Sequence, residues 1–223
     1  MATVRSRAAA LALTATATAV GPVARAEPID RRALVTRHDP VLRAFDTGSP
    51  LSVGNGELAF TVDATGLQTF ADDYDETIPL STLSQWGWHT APNPQGWSIE
   101  RFRFTGFDAS GREVGYADIP GDRRTPEIEW LRANPHRLHL GRIGFALFRA
   151  DRRAARREDL TDVEQVLDLW NGTLRSRFRL DGQPVEVETL CHPRLDLVAV
   201  RVVSPLVPRG RIAIRLHFPY GTG

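Results

Sequence analysis
Two turn dipeptides, Asn171-Gly172 and Asp181-Gly182, sit between runs of alternating apolar and charged residues from Gln165 to Cys191. Asn-Gly and Asp-Gly both tolerate φ > 0 at two successive positions, which the tight turn of an antiparallel hairpin demands. A two-residue loop at 181–182 sets Phe178 against Val185, Ser176 against Val187, Arg177 against Glu186 and Arg175 against Glu188. A two-residue loop at 171–172 sets Asp168 against Arg175 and Leu169 against Leu174. Asp168, Arg175 and Glu188 then form a row of alternating sign on one face, and apolar residues take the other. That separation is expected of an antiparallel sheet with one wet side.

The same pattern continues elsewhere. Leu195 to Val203 and Arg211 to Phe218 alternate with period two, and Glu57 to Val62 and Leu67 to Phe70 flank a Thr65-Gly66 turn. Arg101 to Phe107 and Glu113 to Ala117 flank a turn at Ala109-Ser110-Gly111, and Leu138 to Arg149 is a further apolar strand region. One helix is expected: Thr125 as N-cap, Pro126 at the first position, Glu127 and Glu129 at the positive end, and Asn134-Pro135 as the stop. Asp151–Asp159 reads as a solvated loop. Many short strands with little helix predict an all-β fold, an antiparallel β-sandwich.

Residues 1–26 read as a secretory signal peptide. Arg5 and Arg7 precede an uncharged stretch from Ala8 to Val20, and Ala24-Arg25-Ala26 offers small residues for cleavage after Ala26. The apolar run, about 13 residues, is short of the ~20 that span a bilayer. The 28 basic residues, all arginine, exceed the 27 acids by one, but three of the arginines lie in the signal. The mature chain, 27–223, is therefore slightly acidic, and there is no bulk electrostatic case for nucleic acid. A secreted or periplasmic location follows, with no membrane contact after cleavage. The lone Cys191 lies in a strand and is expected to be buried and inert.

Several stretches carry chemistry-bearing residues. Trp86, Trp88, His89 and Trp97 lie in a Gly/Pro/Asn-rich loop region. Indoles with one polar tip suit the C–H faces of sugar rings, or pack a sandwich edge. His136 and His139 form H-x-x-H, but a strand would point them apart, and no third metal ligand is suitably spaced. Asp72, Asp73, Asp75 and Glu76 form an acidic cluster that reads as a solvated loop rather than a glycosidase carboxylate pair or a calcium site. Gly54-Asn55-Gly56 is a tight turn entering a strand, not a phosphate loop, and G-x-S-x-G is absent. Asn171-Gly172-Thr173 fits a glycosylation sequon, which the hairpin turn explains. No metal or cofactor is called for.

Leu51–Asp63 with its G-N-G turn, Thr65–Phe70, Ile78–His89 and Asn134–Gly141 occur in an order that resembles the six-hairpin glycosidase-like proteins, which include glycoside hydrolase families 65 and 95. The resemblance covers roughly residues 33 to 220 and implies an N-terminal β-supersandwich that is non-catalytic. In such proteins an (α/α)₆ barrel carries the general acid of an inverting glycosidase or phosphorylase. No stretch here supplies that barrel, so no catalytic residue is carried over. The expectation is a fragment whose C-terminal helical barrel is missing. Its Trp86, Trp88 and His89 would lend sugar contacts, the indoles by stacking and His89 by bonding a hydroxyl. The alternatives are a stand-alone carbohydrate-binding or adhesion module, and a sandwich lyase or epimerase using His89, His136 or His139 with the acidic cluster at Asp72, Asp73, Asp75 and Glu76.

Overall fold
The strand-rich pattern resolves into two layers of antiparallel sheet in a computed structural model that describes residues 28–98, 100, 104–116, 125–134 and 136–218. The proposed signal, 1–26, lies outside the described residues, as do parts of the expected strands at 101–103 and 117. The chain runs through α1 (Arg31–Thr36), β1 (Val41–Leu42), β2 (Leu51–Gly54), β3 (Leu58–Val62), β4 (Thr82–Ser84) and β5 (Trp88–His89). Then come β6 (Thr105–Asp108), β7 (Glu113–Tyr116), α2 (Pro126–Arg132), β8 (His136–Arg137) and β9 (Arg142–Leu147). β10 (Leu160–Asp168), β11 (Thr173–Leu180), β12 (Gln183–Cys191), β13 (Val198–Val203) and β14 (Ile212–His217) follow. The described residues from Arg32 onward form one compact unit.

One layer is the sheet β1-β10-β11-β12-β13. The other joins β2-β3-β4 to β9-β14. Between them lies one apolar core, which takes Phe60 and Val62 from β3, Phe145 and Leu147 from β9, Leu174, Phe178 and Leu180 from β11, and Val185 and Val187 from β12. Each fully buried side chain of this size contributes about 2 kcal/mol. The alternating burial of β11 is the reason it holds its register: a slip of one residue would turn Arg175, Arg177 and Arg179 inward.

The β11–β12 register is the expected one, pair for pair. Asp181 and Gly182 both have positive φ, at 48° and 72°. The β10–β11 turn is longer than the dipeptide implies. Asp168 faces Thr173 and Leu167 faces Leu174, which leaves residues 169–172 in the loop. The cause is the Asp168 carboxylate, which accepts the main-chain N–H groups of Trp170 and Asn171 at 3.0 and 2.9 Å and the Asn171 side-chain amide at 2.6 Å. Asp168 thus starts the turn itself, as an Asx turn does. A shift of two keeps every side chain on its face, so the charged row survives. Arg175 pairs with Glu188 at 3.0 Å and reaches Asp168 at 3.9 Å, and Arg201 extends the row to Glu188 at 3.4 Å.

Leu67–Phe70 is not a strand. The segment 63–70 is a buried plug closed by the Asp63 carboxylate. That carboxylate accepts the Thr65 amide at 2.8 Å, the Thr65 hydroxyl at 2.6 Å and the Phe70 amide at 2.7 Å. Side chains then stand in for a ladder: the Ile143 amide donates to Gln68 Oε1 at 3.1 Å, and the Phe145 amide to Thr69 Oγ1 at 3.2 Å. These bonds link the two halves of the second layer.

Helix is scarce, as expected: the described residues hold two short α-helices, α1 and α2, and 3-10 turns at Ala71–Tyr74 and Arg157–Asp159. α2 forms where expected, with Pro126 in its first turn, but the extended Thr125 makes no side-chain capping bond. The apolar alternation of β14 does not bury the whole strand: Ile214, Leu216 and Phe218 are exposed along the sandwich edge. No helix of the described residues is long and apolar enough to cross a membrane.

Candidate functional site
The site grows from the G-N-G turn. Asn55 Oδ1 accepts the amides of Glu57 and Leu58 at 2.9 and 2.7 Å, which folds the turn into β3. Its Nδ2 donates to the main-chain oxygens of His192 and Leu195 at 3.2 and 3.1 Å. One amide therefore holds both its own turn and the β12–β13 connection. That connection delivers Asp196 to the end of β4. There the Ser84 hydroxyl donates to Asp196 Oδ2 at 2.5 Å, and Trp86 Nε1–H donates to the same oxygen at 2.7 Å. The Ser84 hydroxyl above all, and then the Trp86 indole, hold the Asp196 carboxyl below the usual carboxylate range.

Trp86 is 64% exposed and Trp88 53%. His89 is exposed as well. Trp88 and His89 form β5, paired with Arg137 and His136 of β8. Leu138 N–H donates to Gly87 O at 2.8 Å and Leu140 N–H to Thr82 O at 2.9 Å, so the segments 78–89 and 134–141 are joined. Gly87 leaves room for the Leu140 side chain here: a Cβ there would lie 2.6 Å from Leu140 Cδ2. Asn134 locks the far end, accepting the Ala91 amide and donating to Trp130 O. Beside Trp86 the open face of β2–β4 forms a groove of about 380 Å³, lined by Ser52, Gly54, Glu57, Ala59, Gln85 and Arg137. The Arg137 guanidinium bonds Gln85 O at its rim.

The tryptophans divide by role. Trp97 packs on Trp130 of α2 with ring centroids 6.0 Å apart, and Asn93 clamps it by two bonds to its main chain. Trp86 and Trp88 remain outward. Asp196 was not singled out by its sequence context. An isolated aspartate 110 positions from Trp86 offers no spacing that would reveal it.

The other candidates resolve into structure. Arg142 bridges Asp72 and Asp75 at 3.0 and 2.5 Å, and Arg157 reaches Asp73 at 3.7 Å, so the acidic cluster is ion-paired rather than a free carboxylate pair. His139 Nδ1 accepts the Gly141 amide at 3.2 Å, and burial, then Arg142, pushes its pKa below the usual histidine value. Among the described residues no group of three His, Cys, Asp or Glu side chains is placed to hold a metal ion. Cys191 is half-buried rather than buried, and burial raises its thiol pKa. The reactive thiolate is disfavoured there.

Set against models of known families, curated proteins and solved structures, the chain matches none of them.

Proposed function
We propose that this chain is a non-catalytic sandwich domain of a secreted or periplasmic glycoside hydrolase-like protein, and that its Trp86–His89 segment contacts carbohydrate. The observation that carries the reading is Trp86. Its indole is anchored at the N–H while most of the ring stays open to solvent. An exposed aromatic ring that is already oriented suits the C–H face of a pyranose. Trp88 adds a second exposed indole, and the adjoining groove offers hydroxyl, carboxylate and guanidinium groups for sugar hydroxyls. His89, exposed beside them, is assigned a hydroxyl contact. A helical catalytic barrel is the partner that the family resemblance implies.

The test is calorimetric titration of the full chain with cellohexaose, maltohexaose and xylohexaose. Binding to at least one is expected, weakened about tenfold or more in Trp86→Ala, as for a central aromatic contact. Unchanged binding in that variant removes the loop from the site. Absence of binding to all three overturns the carbohydrate reading. Export is tested separately by sequencing the mature N-terminus, expected at Glu27.

A further inference from the structure
The Asn55–Asp196–Trp86 chain of bonds has a feature that packing alone does not require. Trp86 is the most exposed tryptophan among those whose exposure is large, yet its single polar atom is held. The acceptor is a carboxylate whose other donor, Ser84, is buried in the sheet. The loop carrying that carboxylate is itself tied at two carbonyls by Asn55. An exposed indole normally samples several rotamers, and binding must then remove that freedom. Here three separate segments (the G-N-G turn, the end of β4 and the β12–β13 connection) converge to remove it beforehand.

We propose that Asp196 is the positioning residue of the carbohydrate site: it fixes the Trp86 ring as a preset stacking platform for a pyranose. This rests on the reading of Trp86 as a sugar contact. Asp196 acts through Trp86. Its bonds to Ser84 and Trp86 leave most of the Trp86 side chain exposed, and its charge strengthens both. Specificity would then lie in the flat C–H face that a preset ring selects, with the groove beside it reading hydroxyls.

The experiment combines spectroscopy with binding on the full chain. In the wild type the Trp86 indole N–H, assigned by its loss in Trp86→Phe, exchanges with solvent more slowly than an open indole. In Asp196→Ala that protection disappears. In Asp196→Asn it persists, because the carboxamide oxygen still accepts. Oligosaccharide binding, read with whichever of cellohexaose, maltohexaose or xylohexaose binds, weakens about two- to tenfold in Asp196→Ala, the effect of one side chain that must be immobilised on binding. Asp196→Asn recovers most of it. Trp86→Phe keeps a ring but loses the bond, so adding Asp196→Ala to it produces no further loss. A wild-type indole that exchanges as fast as an open one overturns the proposal. So does additivity in the double variant, or unaltered binding in Asp196→Ala while Trp86→Ala is impaired. Protection that depends on Asp196, together with binding indifferent to Trp86→Ala, would instead refute the carbohydrate reading of Trp86 and leave the indole clamp standing.

Discussion

The side-chain amide of Gln165 donates to the main-chain oxygen of Asp63 at 2.8 Å, across 102 positions of sequence. The same Nε2 meets Ser176 Oγ at 2.8 Å, and Thr189 Oγ1 donates to Gly66 O at 2.7 Å. Polar side chains on the inner face of the β10–β12 sheet thus serve the main chain of the buried 63–70 plug, Gln165 adding to the Gly66 amide that also donates to Asp63 O at 3.0 Å.

The plug gives the protein an acid-side dependence of stability. Burial pushes the Asp63 carboxyl up to about 6 from its ordinary 3.8, against the opposing effect of the Phe70 and Thr65 donors. At this group the folded state holds more protons than the unfolded state between those two values, so its contribution to stability is fully present below pH 4 and is lost as pH rises to 6. The change from this group is about 3 kcal/mol. Asp63→Asn should flatten that slope in urea melts taken across the window. It should also lower stability by about 1–3 kcal/mol, because its amide group faces the Phe70 N–H donor.

Two glycines separate backbone strain from crowding. Gly182 has φ +72° and open space around its missing Cβ. Gly182→Ala should cost about 1 kcal/mol, the price of the left-handed region alone. Gly66 has φ +86°, and a Cβ there would meet Ser176 Oγ at 3.0 Å and Val187 Cγ1 at 3.1 Å. Gly66→Ala should therefore cost about 2–4 kcal/mol, strain plus overpacking. Equal shifts of the two urea midpoints would contradict the plug geometry.

Arg211 closes the opposite end of the sandwich. Its Nη2 lies 2.5 Å from Asp181 Oδ2, and its Nε donates to Phe148 O at 2.9 Å, with the side chain almost fully covered. Arg211→Ala should destabilise by about 2–4 kcal/mol, since the Phe148 carbonyl and the sheltered Asp181 carboxylate each lose a donor, Asp181 keeping the Ala150 amide and Arg149. Arg211→Met should restore the packing but not the charge pairing, so thermal melts should place it between the alanine variant and the wild type.

Asn55 is predicted to tolerate no isostere. Asn55→Asp keeps the acceptor for Glu57 and Leu58 but removes both donors to His192 O and Leu195 O. A loss of about 1–3 kcal/mol is expected from the donor that each carbonyl loses and the new charge beside them, although Leu195 O keeps the Leu197 amide at 2.7 Å. Trp86 indole exchange should quicken in the same variant. Unaltered exchange would mean that the β12–β13 connection holds Asp196 without Asn55.

The sequence made the fold class and the β11–β12 register legible because Asp181-Gly182 and strict alternation act together within twenty residues. It misled at Asn171-Gly172, where the same kind of dipeptide is overruled by the Asp168 carboxylate three residues earlier. It misled again at Leu67–Phe70. There Leu67 and Phe70 bracket Gln68 and Thr69, whose polar side chains bond inward to β9. At the site, three tryptophans of similar context were indistinguishable until Trp97 found Trp130 and Trp86 found Asp196. Such long-range partners leave no local periodicity to read.

The plug also bears on the order in which the chain can assemble. β10, β11 and β12 are joined by short turns, so their pairings close loops of a few residues. The bonds from Gln165 and Thr189 to the plug span 102 and 123 positions. Loop-closure entropy favours the local meander first, with the plug docking late on a surface already formed. Until it docks, the inner amide of Gln165 and the hydroxyl of Thr189 face solvent. The rate-limiting barrier should therefore be sensitive to substitutions in the meander, while changes within 63–70 chiefly speed unfolding.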